Sequence, residues 1–388
     1  MTTQPVPPEQ RDRGWSATAV ALTIFLGGMA IVTVLVLWAL TQSNGVPSTV
    51  AAPVVPAATH ELAGTKGMPG MEATAPAAAS TADAAAESDA AATSKSATPP
   101  AHEAYDAGLP PVGAGKVHHY TIRLADETLD IAPGVRYSGW TFDGVSPGPV
   151  IHVRQGDWVD VTLVNGGAIP HSIDFHAALT APDKSFKTIP KGGSVHFRFR
   201  ADTPGAFMYH CGTPPVLAHI ANGMYGAIIV DPKAGMPRVA KSYVLVSGEW
   251  YLAGDGKKKP ATLDFEKARQ MRPDYVTFNG YANQYKDRPL TADPGDTVRF
   301  YVVDAGPSLD TDFHVVGAIL DRVYLDATTT GVLHGVQTQL VPAGGGMIFD
   351  VKFRQAGIFP FVSHAFAAVD MGEVGLVNVG HVAGTMSH

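Results

Sequence analysis

One plan of short strands occurs twice in this sequence, and the duplication constrains the fold more than any other feature. Segments such as "VIHVRQGDWVDVTLVN", "SVHFRFRA", "TVRFYVVDAG" and "MIFDVKFRQAG" are rich in β-branched and aromatic residues and are bounded by Gly, Pro and Asp, which is typical of short strands. No segment of this region carries a long helical period. The pattern predicts an all-β fold of two antiparallel β-sandwiches rather than an α/β fold.

The two copies share a motif that sets their limits. "DFH" occurs at 174–176 and again at 312–314, and each copy continues with a Gly-rich turn, a strand, a second glycine and another strand. Self-similarity of this kind predicts two domains of one fold. We place the first domain at 116–233 and the second at 234–388.

A long apolar segment lies near the N-terminus. Residues 15–40 carry no charged side chain, and a helix of this length crosses a bilayer core of about 30 Å. Arg11 and Arg13 precede the segment and no Lys or Arg follows until Lys66, so the positive-inside rule predicts that residues 1–14 are cytoplasmic. A cleaved signal peptide is the alternative, although its apolar region is usually only about 7–15 residues long.

Composition describes the next segment and the class of partner. Residues 41–115 are rich in Ala, Pro, Ser and Thr and poor in aromatic residues, which predicts a disordered linker between a transmembrane helix and the folded domains. The protein is then membrane-anchored, with its domains outside the cytoplasm, at the cell surface or in the periplasm. A net charge of −7 and a pI near 6.1 argue against nucleic acid as a partner.

Cys211 is the only cysteine, so it cannot form an intrachain disulfide. His219 and Met224 follow it within one loop, and His171 precedes it in "PHSIDFH". A thiolate, two imidazoles and a thioether are the ligands of a blue electron-transfer copper site. The alternative is a buried free cysteine beside core histidines, but the complete ordered set favours the copper site.

A second group of histidines remains: His176, His210, His314 and His364. Side chains alternate along a strand, so His210 points away from a metal held by Cys211. His364 follows Ser363, the position that the alignment of Gly205 with Gly357 makes equivalent to Cys211. Three imidazoles with an open position make a catalytic metal site, and His176, His210 and His364 are our candidates. Each alone is better explained as a hydrogen-bonded core histidine.

The motifs "PHSIDFHAA", "FMYHCG", "HIANGMYGAIIV", "DFHVVG" and "FVSHAF", in this order, make the sequence closely resemble the copper-containing nitrite reductases. The resemblance implies two tandem cupredoxin-type Greek-key β-sandwich domains per chain and assembly as a homotrimer. It implies one type 1 and one type 2 copper per subunit, nitrite as substrate, and an external electron donor such as a small cupredoxin or a cytochrome c.

The resemblance also implies a role for each candidate residue. The type 1 copper ligands would be His171, Cys211, His219 and Met224. The type 2 ligands would be His176, His210 and, from an adjacent subunit, His364. Asp174 and His314 would deliver the protons that reduction of nitrite to nitric oxide consumes, and Val316 would limit the space over the copper. A turn-capping role is the alternative for Asp174, because Asp312 shares its place in the "DFH" motif.

Two other functions are weighed against nitrite reduction. A laccase-like two-domain multicopper oxidase needs a trinuclear cluster whose histidines commonly come as His-x-His pairs, and no such pair occurs here. A membrane-tethered cupredoxin electron carrier would keep Cys211 and its partners but has no use for Asp174 with His314. Production of nitric oxide distinguishes the reductase from the carrier.

Overall fold

A computed structural model of the chain describes residues 102–182 and 187–383, all within one compact unit, Ser94–His388. The predicted cytoplasmic segment 1–14, the transmembrane span 15–40 and residues 41–101 of the predicted linker lie outside the described residues. Residues 102–115 are described and pack on the second half: Ala107 is buried, and its carbonyl accepts a hydrogen bond from the N–H of Val244. The prediction of a disordered linker that extends to residue 115 is therefore wrong for this part. Among the residues that are described, no helix is long and apolar enough to cross a membrane.

The described part is mostly β, as the sequence predicts, with four short helices. The strands of the first half are β1 (Val117–Ala132), β2 (Val135–Phe142), β3 (Ile151–Arg154), β4 (Trp158–Asn165), β5 (Asp174–Phe175), β6 (Ser194–Arg200), β7 (Gly205–His210) and β8 (Tyr225–Asp231). Helix α1 (Val216–Ala221) connects β7 to β8.

The second half contains the remaining elements. Its strands are β9 (Lys241–Trp250), β10 (Leu252–Ala253), β11 (Thr262–Leu263), β12 (Tyr275–Phe278), β13 (Arg288–Ala292), β14 (Thr297–Asp304), β15 (Thr311–Val315), β16 (Leu320–Leu325), β17 (Thr338–Val341), β18 (Gly346–Lys352), β19 (Gly357–Ser363) and β20 (Val374–Val379). Its helices are α2 (Phe265–Arg269), α3 (Gln284–Asp287) and α4 (Phe366–Asp370).

Each half forms two main sheets, and each of these sheets contains one parallel pair. The first half has sheets β2-β1-β4-β6 and β3-β8-β7-β5, and the second has β12-β9-β14-β18-β16 and β13-β20-β19-β15-β17. The parallel pairs are β1–β4, β3–β8, β9–β14 and β13–β20. The prediction of purely antiparallel sandwiches is therefore wrong in this detail, because alternation of apolar residues shows which face is buried but not which way a neighbouring strand runs.

The backbone repeats between the halves where the sequence predicted it. Gly205 at the start of β7 has φ +154° and Gly357 at the start of β19 has φ +156°, a conformation that side chains rarely adopt. The loops before β8 and β20 carry a second such pair, Gly223 with φ +104° and Gly372 with φ +116°. The two pairs fix which residues of the halves are equivalent.

Strand register corrects the alignment on "DFH" by two residues. Asp174 lies opposite His210 across β5 and β7, whereas His314 lies opposite Val362 across β15 and β19. Since the pairing of Gly205 with Gly357 makes His210 and Val362 equivalent, Asp174 corresponds to His314 and not to Asp312. The motif recurs two residues out of register, and only the hydrogen-bonded ladder reveals this.

Apolar side chains fill each half and the junction between them. One buried cluster belongs to the first half and includes Phe142, Phe175, Cys211 and Met224; another belongs to the second half and is built around phenylalanines such as Phe313. A third joins β7 and β8 to β9 and β14. Each fully buried large side chain contributes about 1.5–3 kcal/mol, so the cores hold the connecting loops in place.

Candidate metal centres

The first candidate centre lies where β7 ends. Cys211 follows the last residue of β7, His219 lies in α1, and His171 is held by a two-way backbone bridge to Ile189. The Sγ atom of Cys211 is 3.2 Å from Nδ1 of His219 and 3.9 Å from Nδ1 of His171, and the two Nδ1 atoms are 3.1 Å apart. All three residues are buried, and their ligand atoms lie close enough together to hold one metal ion.

Backbone hydrogen bonds organise the sulfur and its loop. The N–H of Ser172 donates to Sγ of Cys211 at 3.3 Å, and a thiolate accepts such a bond well. The N–H of Cys211 donates to the carbonyl of Met224 at 3.1 Å, and both residues belong to the same buried cluster. The structure therefore places the predicted thioether residue beside the thiol.

Burial keeps the two imidazoles neutral. It lowers the pKa of His171, and it lowers the pKa of His219 to about 4, with His171 as a further cause. A neutral imidazole has a free lone pair for a metal ion. The ring of Trp140 lies 4.8 Å from that of His219 and 5.6 Å from that of His171. Sequence reasoning missed Trp140, because β2 lies far from the ligands along the chain.

The second candidate centre is one residue away along the chain. His176 and His210 approach each other with their Nε2 atoms 3.1 Å apart, and Oδ2 of Asp174 lies 3.6 Å from Nε2 of His210 and 3.9 Å from Nε2 of His176. These three residues form the other group of the described part of the chain that is able to hold a metal ion. Cys211 and His210 are consecutive, so one peptide unit connects the two centres.

The outer ring nitrogens show which atoms face the metal position. Nδ1 of His176 lies 3.0 Å from the carbonyl of Gly344, and Nδ1 of His210 lies 3.1 Å from the carbonyl of Cys211. A carbonyl accepts only, so each Nδ1 carries the proton and donates. Both Nε2 lone pairs then face each other, an arrangement that is repulsive unless a cation lies between them.

Electrostatics at this centre favour the neutral forms of both His210 and Asp174. Burial lowers the pKa of His210, and burial raises the pKa of Asp174, although the two neighbouring imidazoles oppose the second shift. A carboxyl group tuned in this direction is suited to donating a proton.

His314, which is half-buried, and His364, which is exposed, form a separate pair. Their rings lie 5.2 Å apart; Nδ1 of His314 lies 2.8 Å from the carbonyl of Gln337, and the N–H of His364 donates to the carbonyl of Asp312. Within one chain, His364 therefore does not join His176 and His210 among the groups able to hold a metal ion. That the three meet between subunits stays a prediction.

The chain is similar to known proteins in both sequence and structure. Residues 123–235 match the family model of a multicopper oxidase domain. The copper-containing nitrite reductase of Neisseria meningitidis serogroup B is 40% identical over 264 residues, which is 66% of this chain and 67% of that protein. The chain belongs to the copper-containing nitrite reductase family. Membership makes it a copper-dependent oxidoreductase.

Solved structures of copper nitrite reductases are also similar to this chain. The copper nitrite reductase of Nitrosomonas europaea has a TM-score of 0.64 and 35% identity, covering 69% of this chain and 96% of that one. The copper-containing nitrite reductase of Thermus scotoductus has a TM-score of 0.64 and 28% identity, covering 70% and 64%. The fold is thus mostly β and cupredoxin-like, as the resemblance in sequence implied.

Proposed function

We propose that the chain reduces nitrite to nitric oxide, taking in an electron at a type 1 copper and reacting at a type 2 copper between subunits. The observation that carries the proposal is the pair of centres themselves: a buried Cys/His/His group adjoins an Asp/His/His group through the single peptide bond between His210 and Cys211. Family membership supplies the expectation that both hold copper.

The residues of the first centre suit copper by their chemistry. A thiolate with neutral imidazoles is the soft and borderline donor set that copper takes, and Met224 lies beside Cys211. At the second centre, a cation between the two opposed Nε2 atoms would relieve the repulsion of their lone pairs. We assign His171, Cys211, His219 and Met224 to the type 1 site, and His176, His210 and the His364 of a neighbouring subunit to the type 2 site.

When bound, copper at the second centre would orient and polarise nitrite and pass it one electron. The reaction combines nitrite, two protons and one electron into nitric oxide and water. The carboxyl group of Asp174 lies beside the two imidazoles, and burial raises its pKa, which favours its use as a proton donor. His314 donates from Nδ1 to the Gln337 carbonyl, which fixes its ring and leaves Nε2 to take up and release a second proton.

The wider organisation is part of the same proposal. Two cupredoxin-type Greek-key domains, 116–233 and 234–388, form a homotrimer, and a small cupredoxin or a cytochrome c donates the electron. Residues 15–40 anchor the chain in a membrane, with the domains outside the cytoplasm.

Electron paramagnetic resonance with copper analysis and a nitric oxide assay tests the function. The proposal expects one type 1 and one type 2 signal per chain and formation of nitric oxide from nitrite with a chemical reductant. A coupled cluster with oxygen consumption would instead identify an oxidase, and a type 1 signal without nitric oxide would identify an electron carrier.

A further inference from the structure

A cavity of about 270 Å³ lies in the second half, next to α4. Ser247, Glu249, Thr311, Ala368 and Glu373 are among its lining residues. No Lys, Arg or His is among the described residues that line it. Most of its surface is apolar, from side chains such as Leu309 and Met371, and its polar lining is acidic. The described lining residues therefore lack the basic side chain that usually accompanies buried carboxylates.

The cavity occupies the position that the first half uses for its Cys/His/His centre. The N–H of Asp312 donates to Oγ of Ser363 at 3.1 Å, just as the N–H of Ser172 donates to Sγ of Cys211 at 3.3 Å. The bond makes Ser363 the counterpart of Cys211, and it makes Thr311, one residue earlier, the counterpart of His171.

The helices extend the correspondence to the other two ligands. After α1 the N–H groups of Gly223 and Met224 donate to residues 220 and 219, and after α4 those of Gly372 and Glu373 donate to residues 369 and 368. Glu373 thus replaces Met224, and Ala368 replaces His219.

These four replacements change the chemistry of the position without filling it. Thiol, thioether and one imidazole give way to a hydroxyl, a carboxylate and another hydroxyl, and the second imidazole gives way to a methyl group. The first set suits a soft metal ion, whereas oxygen donors suit a hard one. Replacing His219 by the small Ala368 also leaves open space at the centre of the position.

Glu373 supplies a second and independent sign of a ligand. It is 1% exposed and lines the cavity, and its Oε1 accepts hydrogen bonds from the hydroxyls of Ser247 at 2.5 Å and Thr311 at 2.9 Å. Its Oε2 is buried with no hydrogen-bond partner among the described residues, as is Oδ2 of the neighbouring Asp304. Buried carboxylate oxygens without donors are costly unless a proton or a cation satisfies them.

The third carboxylate nearby is already satisfied. Oε1 of Glu249 accepts the N–H groups of Ser308 and Leu309 at 2.9 Å and 2.7 Å, and the hydroxyl of Tyr251 donates to Oε2. The buried carboxyl oxygens without a hydrogen-bond partner therefore belong to Glu373 and Asp304, and deprotonation of both groups would match the charge of one divalent cation.

We propose that this cavity binds a hard divalent cation of the size of Ca²⁺ through the Glu373 carboxylate and the hydroxyls of Ser247 and Thr311, with Asp304 completing the charge. Ca²⁺ takes six to eight oxygen ligands in flexible geometry. A carboxylate and two hydroxyls provide up to four, and a cavity of 270 Å³ has room for several waters at about 30 Å³ each.

Protons compete with the cation for the same oxygens. Burial raises the pKa of Glu373 to about 7 and raises the pKa of Asp304 well above its ordinary value. The other titratable groups that face the cavity, Glu249 and Asp310, are also acidic. Calcium affinity should consequently rise with pH between about pH 6 and pH 8.

Titration of the copper-loaded full-length protein with calcium chloride alone tests the site, by calorimetry and by thermal unfolding at a fixed scan rate. We expect saturable binding at pH 8 and an unfolding temperature that rises by several degrees at about one hundred times the dissociation constant. Glu373→Gln keeps the shape but removes the charge, so it should abolish the shift, while the exposed control Glu266→Gln should preserve it.

Absence of any calcium-dependent shift in the unaltered protein overturns the proposal, as does an equal shift in Glu373→Gln. Should that variant fail to fold, Thr311→Val removes one hydroxyl ligand and its hydrogen bond to Glu373 but keeps both carboxyl groups, and it should weaken calcium binding at least tenfold. Unchanged affinity in Thr311→Val would count against the assigned position. Neither outcome bears on nitrite reduction, which the nitric oxide assay reports separately.

Discussion

The two halves of the molecule have equivalent loops that hold opposite kinds of donors. In the first half the loop from β7 to β8 brings Cys211, His219 and Met224 beside His171; in the second half the loop from β19 to β20 brings a hydroxyl and a carboxylate to the corresponding places. The helix, the glycine with positive φ and the strand register recur. The backbone of a metal loop thus persists when its donors change, because the apolar cores around it hold the loop.

The two proposed proton donors also lie at equivalent positions of the two halves. Asp174 and His314 occupy matching sites in the β5–β7 and β15–β19 ladders, although the sequence motif pairs Asp174 with Asp312. The turn-capping interpretation of Asp174 loses its support, since it depended on that motif.

The largest expected effect comes from replacing Cys211 of the first half by serine, the residue at the equivalent position 363 of the second half. Cys211→Ser should abolish the intense visible absorption and nitrite reduction, because a hydroxyl cannot replace the thiolate whose charge transfer produces the colour. The copper at His176 and His210 should remain, which metal analysis and paramagnetic resonance will check. Retention of the visible absorption would contradict the assignment of the first centre as a type 1 copper site.

Next in size are the two equivalent proton donors. Asp174→Asn and His314→Asn should each keep both coppers and the visible spectrum but lower turnover by about 10²–10⁴, the range for loss of a positioned acid or base. Steady-state kinetics with copper analysis measures this. Asp312→Asn is the matched control and should stay within a few-fold of normal; if Asp312→Asn loses as much as Asp174→Asn, the register-based equivalence is the wrong guide to role.

The sequence predicted the mostly β fold and the convergence of His171, Cys211 and His219, because repeated strand patterns and a complete donor set are local signals. It did not predict the parallel pairs or the true register of "DFH", since both depend on which strands meet. Glu373 was visible in principle: "GEVG" aligns with "GMYG". A carboxylate in the place of a thioether does not indicate a cation site, however, until the carboxylate is known to be buried.

A smaller, partial effect should come from mixing inactive chains. His176→Ala and His364→Ala trimers, exchanged and reassembled, should regain activity at about a quarter of their interfaces, because random mixing makes that fraction pair one intact His176 with a neighbour's intact His364. Nitric oxide formation and copper content of the mixture measure the recovery. Mixing each variant with itself is the control, and no recovery after proven exchange would count against a site shared between subunits.

The last expected effect is on stability alone and concerns the second half. Burial raises the pKa of Glu373 to about 7, above the ordinary 4.5, so the folded state holds this proton more tightly than the unfolded state. The stabilisation is complete below about pH 4.5 and is lost as the pH rises through 7, which lowers the free energy of unfolding by about 3 kcal/mol.

Glu373→Gln cannot lose this proton, so its unfolding free energy should stay nearly level where that of the unaltered protein falls. Denaturant unfolding at pH 5 and pH 8, with a calcium chelator present, measures both, and Glu266→Gln should follow the unaltered protein. Equal slopes in Glu373→Gln and the unaltered protein would mean that Glu373 keeps its charge when folded. If calcium also failed to bind, the loop of the second half would hold no metal ion, in contrast to the proposed copper loop of the first half. If calcium still bound, a charged Glu373 would keep the calcium site available at acidic pH as well.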